Sequence, residues 1–222
     1  MSLNQLIAIS IDPSTEKGAL AAAGALRRVG LRAEVFLNAS SGDHFESIVM
    51  NEPLVQAVID YSLSDLAATR HGLLPEQSPE RMTAATRRSL PQVIVPGGLD
   101  HVIKHGSHQD VTLSRPSKQI SETTTLFRTS PEDNDAFGKE LAFKASASAG
   151  PVVFVFPRGG LSQWDRDEGP DYDFSPNRAL LDSLHLWKRP DIELIESHRH
   201  INDPLFAQIV VDQLLKLMVV RH

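Results

Sequence analysis

Two histidines, an asparagine and an aspartate fall in the stretch SHRHINDP, residues 197–204. His198 and His200 are two positions apart, so in an extended segment both side chains point the same way. Imidazole suits proton transfer near neutral pH. We therefore take His200 as a candidate general acid or base and Asn202 as a candidate ligand-binding residue. No third strong metal ligand accompanies this group, so the sequence predicts no metal site here.

Asp203, in the same stretch, has a structural interpretation beside the functional one. It precedes Pro204, and an aspartate before a proline is typical of a helix start, where the side chain caps free N–H groups. We favour this N-cap over a catalytic acid, and we also keep Asp203 as a candidate ligand-binding residue. A serine before a proline predicts three other helix starts in the same way: Ser78-Pro79, Ser130-Pro131 and Ser175-Pro176.

The stretch PGGLD, residues 96–100, is a candidate anion site directly after an apolar run. Gly97 and Gly98 allow backbone N–H groups to approach an anion closely. Asp100 is a candidate catalytic residue that would orient a partner or a metal-bound water. A tight turn without a ligand explains the same residues equally well.

The stretch PRGGLS, residues 157–162, is a stronger candidate for anion binding. Arg158 adds a cation to the backbone of Gly159 and Gly160, and Ser162 adds a hydroxyl group. This combination suits a phosphate or a carboxylate.

Short apolar runs alternate with helix-like segments along most of the chain. The runs that predict strands are 6–11, 33–37, 55–61, 92–96, 123–129, 151–157 and 192–196. Apolar runs joined by helices are typical of parallel strands buried on both faces. The chain is therefore predicted to form one α/β domain, with a doubly wound, mostly parallel Rossmann-like sheet of six or seven strands flanked by helices.

In such a sheet, ligands bind beyond the carboxyl ends of the strands, where loops and helix N-termini meet. Arg128 and Thr129 come just before the helix start at Pro131, so they form a further anion-binding candidate. The loops expected at this edge are 38–42, 62–65, 96–100, 128–134, 157–165 and 197–203. Their convergence is the main argument from the residues for a site.

The composition excludes several classes of protein. The net charge of −6 over 222 residues argues against a nucleic-acid binder, which usually has a basic face. The absence of cysteine excludes disulfides and thiol chemistry and is compatible with the cytoplasm, where we expect the protein. No apolar run is long enough to predict a membrane span. The initial Met-Ser-Leu is consistent with an expression remnant.

Four stretches occur in a fixed order along the chain: PQVIVPGGLD, RTSPEDN, GPVVFVFPRGGLSQWD and HINDPLFA. Together they resemble the C-terminal half of the family named for the ATP-binding region of a plant tobamovirus-resistance protein, the Tm-1-like ATP-binding domain family. Members of this family usually carry a separate Rossmann-like subdomain ahead of this one. The resemblance implies a site in the cleft between two subdomains, nucleotide binding in at least the plant member, and a chain equivalent to the second subdomain.

The resemblance also bears on individual residues. It supports most of the candidates above and adds Asn134 as a ligand-binding residue. Three segments depart from the family pattern: LNASSGD (37–43), SLSD (62–65) and HVIKHGSHQD after Asp100, whose histidines are interpreted as solvated. Because these segments would line the cleft, the departures imply a changed or lost ligand.

Three functions follow from the sequence. The first is a domain that binds a phosphorylated or carboxylated small molecule, such as ATP with Mg²⁺, and contributes half of an inter-subdomain cleft. The second is an enzyme acting on such a ligand, with His200 as general acid or base and Asp100 beside it. The third is an assembly subunit that needs a separate N-terminal half. Homo-oligomerisation is expected, without an interface that the residues specify.

Overall fold

The structure is a computed structural model that describes residues 5–37, 43–73, 81–105, 116–166 and 173–219. Its strands are β1 (Leu6–Ile11), β2 (Arg32–Leu37), β3 (Val55–Asp60), β4 (Gln92–Ile94), β5 (His101–His105), β6 (Ser117–Ser121), β7 (Thr124–Arg128), β8 (Val152–Pro157) and β9 (Glu193–Ser197). Its helices are α1 (Glu16–Arg28), α2 (Asp43–Asn51), α3 (Ser64–Arg70), α4 (Thr83–Arg87), α5 (Pro131–Ser146), α6 (Ser175–Trp187) and α7 (Pro204–Val219). The predicted loop 38–42, the predicted helix start at Ser78-Pro79, His108 and the first three residues lie outside the described residues.

Six strands form one parallel sheet in the order β2-β1-β3-β4-β8-β9. The predicted α/β fold is therefore confirmed. The chain passes from β1 to β2 in one direction along the sheet and later continues from β3 in the other, so the strand order reverses beside β1. In open α/β sheets this switch point is where a crevice forms beyond the carboxyl ends of the strands.

Strand β8 shows why the sheet is buried on both faces. Its side chains alternate, so Val153 and Val155 pack in the cluster that includes α1 and α7. Phe154 and Phe156 pack in the opposite cluster, with α5 and α6. A continuous apolar run is required at such a position, because neither face of the strand meets water.

The predicted strand 123–129 does not belong to the parallel sheet. Its central part, β7, belongs to a separate antiparallel sheet with the order β5-β7-β6. Only Glu122 and Thr123 separate β6 from β7, and a parallel connection needs a crossover of about a dozen residues. The segment after Asp100, in which no strand was predicted, contains β5 and β6. Strand β6 is exposed throughout, which explains why no apolar pattern predicted it.

A buried ion cluster around Arg81 joins several elements near the switch point. The Arg81 side chain is fully buried, and its Nη1 lies 2.9 Å from Glu46 Oε1 and 2.5 Å from Asp60 Oδ1. Its Nε is 3.2 Å from Asp65 Oδ2, and its Nη2 donates to the Ser62 carbonyl at 2.9 Å. Burial raises the pKa of both Glu46 and Asp65, although Arg81 acts in the opposite direction. The cluster fixes α2, β3 and α3 relative to one another.

Two mid-helix glycines provide a matched test of this packing. A Cβ on Gly138, in α5, would lie 2.7 Å from both the Leu180 carbonyl oxygen and Ser183 Cβ of α6, whereas a Cβ on Gly24, in α1, would meet only Arg28 Nη1 at 3.6 Å. We expect Gly138→Ala to lower the free energy of unfolding by about 1–3 kcal/mol through overpacking. Gly24→Ala should raise it by about 0.5–1 kcal/mol, because alanine favours the helix.

Urea unfolding of the two variants and the parent chain measures both effects. Equal midpoints for the two variants, or a more stable Gly138→Ala chain, would contradict the close approach of α5 and α6.

Candidate functional site

The loops after β1, β3 and β4 meet at the switch point. Ser62 Oγ, after β3, donates a hydrogen bond to Oδ2 of Asp12, after β1. The Ser14 N–H donates to Asp12 Oδ1 at 2.6 Å. Gly98, after β4, has φ +76°, and a Cβ there would lie 2.9 Å from both Asp12 Oδ2 and Ser64 Cβ. Only glycine therefore fits this backbone conformation and this approach.

The loop after β9 is bonded to the start of α1. Asn202 Nδ2 donates to the Ser14 carbonyl at 2.8 Å, and Asn202 Oδ1 accepts from the Gly18 N–H at 3.0 Å. The loop after β8 reaches the same place, since the Gln163 N–H donates to the Ser14 carbonyl at 2.9 Å. Tyr61 Oη, at the end of β3, donates to the Ile201 carbonyl at 2.7 Å. We call the group formed by Asp12, Ser14, Ser64, Gly98, Gln163 and Asn202 the switch-point surface; Ser64, Gln163 and Asn202 reach the solvent, and the other three are buried beneath them.

His200 uses both ring nitrogens within the protein. Nε2 lies 2.8 Å from the Ser162 carbonyl oxygen, and Nδ1 lies 3.0 Å from the Asn202 backbone nitrogen. A carbonyl can only accept and an N–H can only donate, so the ring is neutral with its proton on Nε2. In this arrangement His200 holds the loops after β8 and β9 together. Its role in proton transfer stays a prediction, and these bonds favour a positioning role.

Asp203 caps α7, as the sequence indicated. Its Oδ1 accepts from the Leu205 N–H at 2.8 Å, and its Oδ2 lies 2.9 Å from Arg199 Nη1. The Leu205 N–H and Arg199 both lower the pKa of Asp203. The predicted N-cap is confirmed, while ligand binding by Asp203 stays a prediction.

The predicted serine caps have different outcomes. Ser130 caps α5 in a capping box with Asp133, so that prediction is confirmed. The helix start predicted at Ser175-Pro176 is confirmed, but the capping role of Ser175 is wrong, because Ser175 is itself the first residue of α6 and makes no cap bond to the helix. Asp173 Oδ1 instead accepts from the Ser175 N–H at 2.8 Å.

A buried charge cluster lies beside the switch-point surface; we call it the Asp100 cluster, consisting of Asp100, Arg128, Ser162, Asp165 and Asn177. Asp100 is fully buried, and its Oδ2 accepts from Ser162 Oγ at 2.7 Å. Arg128 Nη1 lies 3.5 Å from Asp100 Oδ2, and Arg128 Nη2 lies 3.3 Å from Asp165 Oδ1. Asp165 Oδ2 accepts from Asn177 Nδ2 at 2.6 Å. One guanidinium group thus lies between two buried carboxylates.

The two carboxyl groups of this cluster have opposite pKa shifts. Burial alone would raise the pKa of Asp100, but His101, Arg128 and Ser162 more than offset it, so the pKa lies below its ordinary value. Burial and the charge of Asp100 raise the pKa of Asp165, against the effect of Arg128. Their surroundings therefore favour the charged form of Asp100 more than that of Asp165.

The register of the small sheet explains how Arg128 reaches this cluster. His101 pairs with Arg128 across β5 and β7, so the end of β7 lies beside the residue that follows Asp100. The Thr129 N–H and Arg128 Nη1 both donate to the Asp100 carbonyl at 3.0 Å. Thr129 Oγ1 donates to the Leu99 carbonyl at 2.8 Å and accepts from Asn134 Nδ2 at 2.7 Å. Thr129 and Asn134 thus anchor the turn around Asp100.

Each part of the predicted PRGGLS anion site has a partner within the protein. Arg158 Nη1 lies 3.2 Å from Glu196 Oε2. The Gly159 N–H donates to the Arg199 carbonyl at 3.2 Å, and the Gly160 N–H donates to the Pro157 carbonyl at 3.3 Å. The first two bonds fasten the loop to β9 and its following loop, and the third closes a turn after β8, so anion binding here stays a prediction that would require them to be exchanged.

The interpretation of His101 as a solvated histidine is wrong, because its side chain is only 14% exposed and is bonded to Asp100. Its Nδ1 bonds to Asp100 Oδ2, and its ring lies edge-on to Trp164, with centroids 6.0 Å apart. The sequence signal was the Asp-His pair directly after a strand end, which is weak without knowledge that the aspartate is buried.

The amino edge of the sheet carries an open groove of about 560 Å³. Its lining includes Gly150, Val153, Arg189, Glu193, Gln213 and Lys216, and it contains none of the residues predicted to form a site. Within the described ranges, no group of three or more His, Cys, Asp or Glu side chains could hold a metal ion. No helix in the part of the chain that the structure describes is long and apolar enough to cross a membrane.

Comparison with known proteins confirms the resemblance. A family model described as "Uncharacterised protein family (UPF0261) C-terminal domain" matches residues 4–218. A UPF0261 protein of Brucella melitensis is 30% identical over 169 residues, covering 75% of this chain and 40% of the relative. A UPF0261 protein of Clostridium tetani is 25% identical over 217 residues, covering 96% of this chain and 54% of the relative.

A plant protein is a more distant relative. The ToMV resistance protein Tm-1(GCR237) of Solanum lycopersicum is 24% identical over 170 residues, covering 73% of this chain and 22% of the relative. The chain therefore spans about half, or less, of the length of these curated relatives.

Substitution of Arg128, with substitution of Arg158 as a control, tests the contribution of the Asp100 cluster to stability. Arg128→Met would leave two buried carboxylates without their cation, so we expect a loss of about 3–5 kcal/mol in the free energy of unfolding at neutral pH. Loss of the cation raises the folded-state pKa of both carboxyls, which removes stability as the pH rises through the carboxyl range. The deficit should therefore be smaller at about pH 4 than at pH 7.

Arg158→Met is the matched control. Arg158 and Glu196 are 38% and 31% exposed, so breaking this pair should cost less than about 1 kcal/mol. Denaturant unfolding at both pH values measures the two effects. Similar losses for the two variants, or a deficit of Arg128→Met that does not depend on pH, would contradict the assignment.

Proposed function

This chain belongs to the uncharacterised protein family UPF0261, as its C-terminal domain, and from that membership and the geometry above we propose that it binds a small molecule at the switch-point surface. The observation that carries the proposal is the joining of the loops after β1, β3, β4, β8 and β9 at one edge of the sheet. Such an edge, at the reversal of strand order, is where open α/β sheets take their ligands.

The proposed ligand is an anion, phosphorylated or carboxylated, such as ATP with Mg²⁺. Helix α1 begins at this surface, and a helix N-terminus favours negative charge. The family resemblance points in the same direction. Asp12 is buried, and its two carboxylate oxygens accept from Ser62 and the Ser14 N–H, so it holds the loops after β1 and β3 in place beneath the proposed ligand.

The proposed site is half of a cleft. Bacterial relatives are about twice as long as the matched region, and we propose that their remaining part, or a separate subunit, covers the switch-point surface. Action in the cytoplasm and homo-oligomerisation belong to the same proposal and rest on the sequence alone.

An enzyme is the second candidate function. The original assignment of His200 as its general acid or base has weak support, because both ring nitrogens are bonded within the protein. Asp100 is a better-supported member of such a site, because its Oδ1 is buried and has no hydrogen-bond partner among the described residues. Because the support for His200 is weak, ligand binding without a reaction is the simpler proposal for the switch-point surface as a whole.

The chain carries its own fluorescence reporter for this test. Trp164 lies in the loop after β8, and the second tryptophan, Trp187, is the last residue of α6 and packs on Phe143. In a Trp187→Phe background we expect Trp164 fluorescence to respond to Mg·ATP with saturation. Gln163→Glu places a negative charge on the switch-point surface, so it should weaken this binding about two- to fivefold.

Gln213→Glu is the control, since it adds the same charge in the groove at the amino edge. It should leave the affinity unchanged. No response to Mg·ATP or inorganic phosphate at millimolar concentration, or a greater loss with Gln213→Glu than with Gln163→Glu, would contradict the proposal.

A further inference from the structure

His101 differs from His200 in the use of its ring nitrogens. Its Nδ1 is bonded to Asp100 Oδ2, and a carboxylate can only accept, so the ring proton lies on Nδ1. In the neutral ring Nε2 then carries a lone pair, and Nε2 has no hydrogen-bond partner among the described residues. The side chain keeps 14% of its surface exposed.

The carboxylate that fixes this tautomer is held in place. Asp100 is fully buried, and its Oδ2 also accepts from Ser162 Oγ at 2.7 Å, while its carbonyl accepts from Arg128 and Thr129. A buried carboxylate bonded to Nδ1 orients an imidazole and stabilises the imidazolium that forms when Nε2 takes a proton. The pair His185–Glu196 lacks this feature, because neither side chain is buried; they are 48% and 31% exposed.

The position of His101 suits a ligand at the same edge of the sheet. It follows the turn that contains Gly98, and its ring is edge-on to Trp164, the neighbour of Gln163 on the switch-point surface. Arg128, its cross-strand partner, supplies a positive charge on the other side of Asp100.

We propose that His101 is a proton acceptor toward a hydroxyl group of the bound anion or toward a water molecule, with Asp100 as its positioning residue. In this step an O–H bond breaks, an N–H bond forms at Nε2, and the electron pair stays on the oxygen. The imidazolium is balanced by the Asp100 carboxylate. This proposal rests on the proposed function only for the position at which the ligand binds. It assigns to His101 the proton-transferring role that was predicted for His200.

The first test needs no ligand. Long-range ¹H–¹⁵N NMR of the histidine rings in the unmodified chain should show His101 with its proton on Nδ1 and His200 with its proton on Nε2. In Asp100→Asn, the His101 tautomer should change or become mixed, which a merely structural aspartate would not cause. An Nδ1 of His101 without a proton in the unmodified chain overturns the proposal, whether or not Asp100→Asn folds.

The second test measures proton acceptance with p-nitrophenyl acetate. His101 would take a proton from water as its oxygen attacks the ester carbonyl, which gives acetate and p-nitrophenol. His101→Gln should lower the rate above background at least about tenfold. His198→Gln, at an exposed histidine on the loop after β9, should leave it within about twofold.

A rate that is equal in His101→Gln and the parent chain, or a parent chain no faster than the uncatalysed reaction, overturns the proposal. A failure of this proposal can be distinguished from a failure of the proposed Mg·ATP binding, because the tautomer and the ester reaction are measured without Mg·ATP. Failure of Trp164 to respond to Mg·ATP, with both results here as expected, would remove the proposed ligand and leave the Asp100–His101 pair.

Discussion

The Arg128 guanidinium group between Asp100 and Asp165 is the interaction on which the carboxyl edge of the sheet most depends. Two carboxyl groups this deeply buried require a cation, since the desolvation of an unpaired charge costs several kcal/mol. The cation comes from β7 of the small antiparallel sheet, while the carboxylates follow β4 and β8 of the parallel sheet. One ion cluster therefore fixes the two sheets relative to each other, and it also fixes the Asp100 carboxylate against His101.

The rest of the edge is built by backbone bonds. Asn202 and Gln163 both bind the Ser14 carbonyl, and Gly98 fits against Asp12 because it has no side chain. Polar groups that share so many partners cannot move independently, which is a useful property in a surface that must present fixed groups to a ligand. The same property means that many substitutions here would alter stability as well as binding.

The sequence predicted the parallel sheet because buried strands must be apolar on both faces, as Val153 and Phe154 of β8 illustrate. It also predicted the loops after β3, β4, β8 and β9 at the carboxyl edge, since Gly, Asn and Asp after strands mark loops whatever their role, but it missed Asp12 and Ser14 after β1. It could not separate ligand-binding groups from loop-joining groups, because His200 and Asn202 have the residue types of both. That distinction depends on which atoms meet across about 190 residues of chain, as with Asn202 and Ser14.

Two features had no sequence signal at all. Strand β6 is exposed and polar, so neither an apolar run nor an alternating pattern marked it. Arg81 is fully buried among three carboxylates, although arginine is almost always a surface residue. Both are tertiary arrangements, and a local pattern carries no information about them.

We propose that the ligand binds at the carboxyl edge of the sheet and not in the groove at the amino edge. Amide NMR during titration with Mg·ATP tests it most directly, because each backbone N–H reports its own surroundings. We expect chemical-shift changes to be concentrated at the amides of Ser64, Gly98 and Gln163. The amides of Gly150, Glu193 and Lys216 should be unchanged. Shifts concentrated at the latter three residues, around the groove, would contradict it.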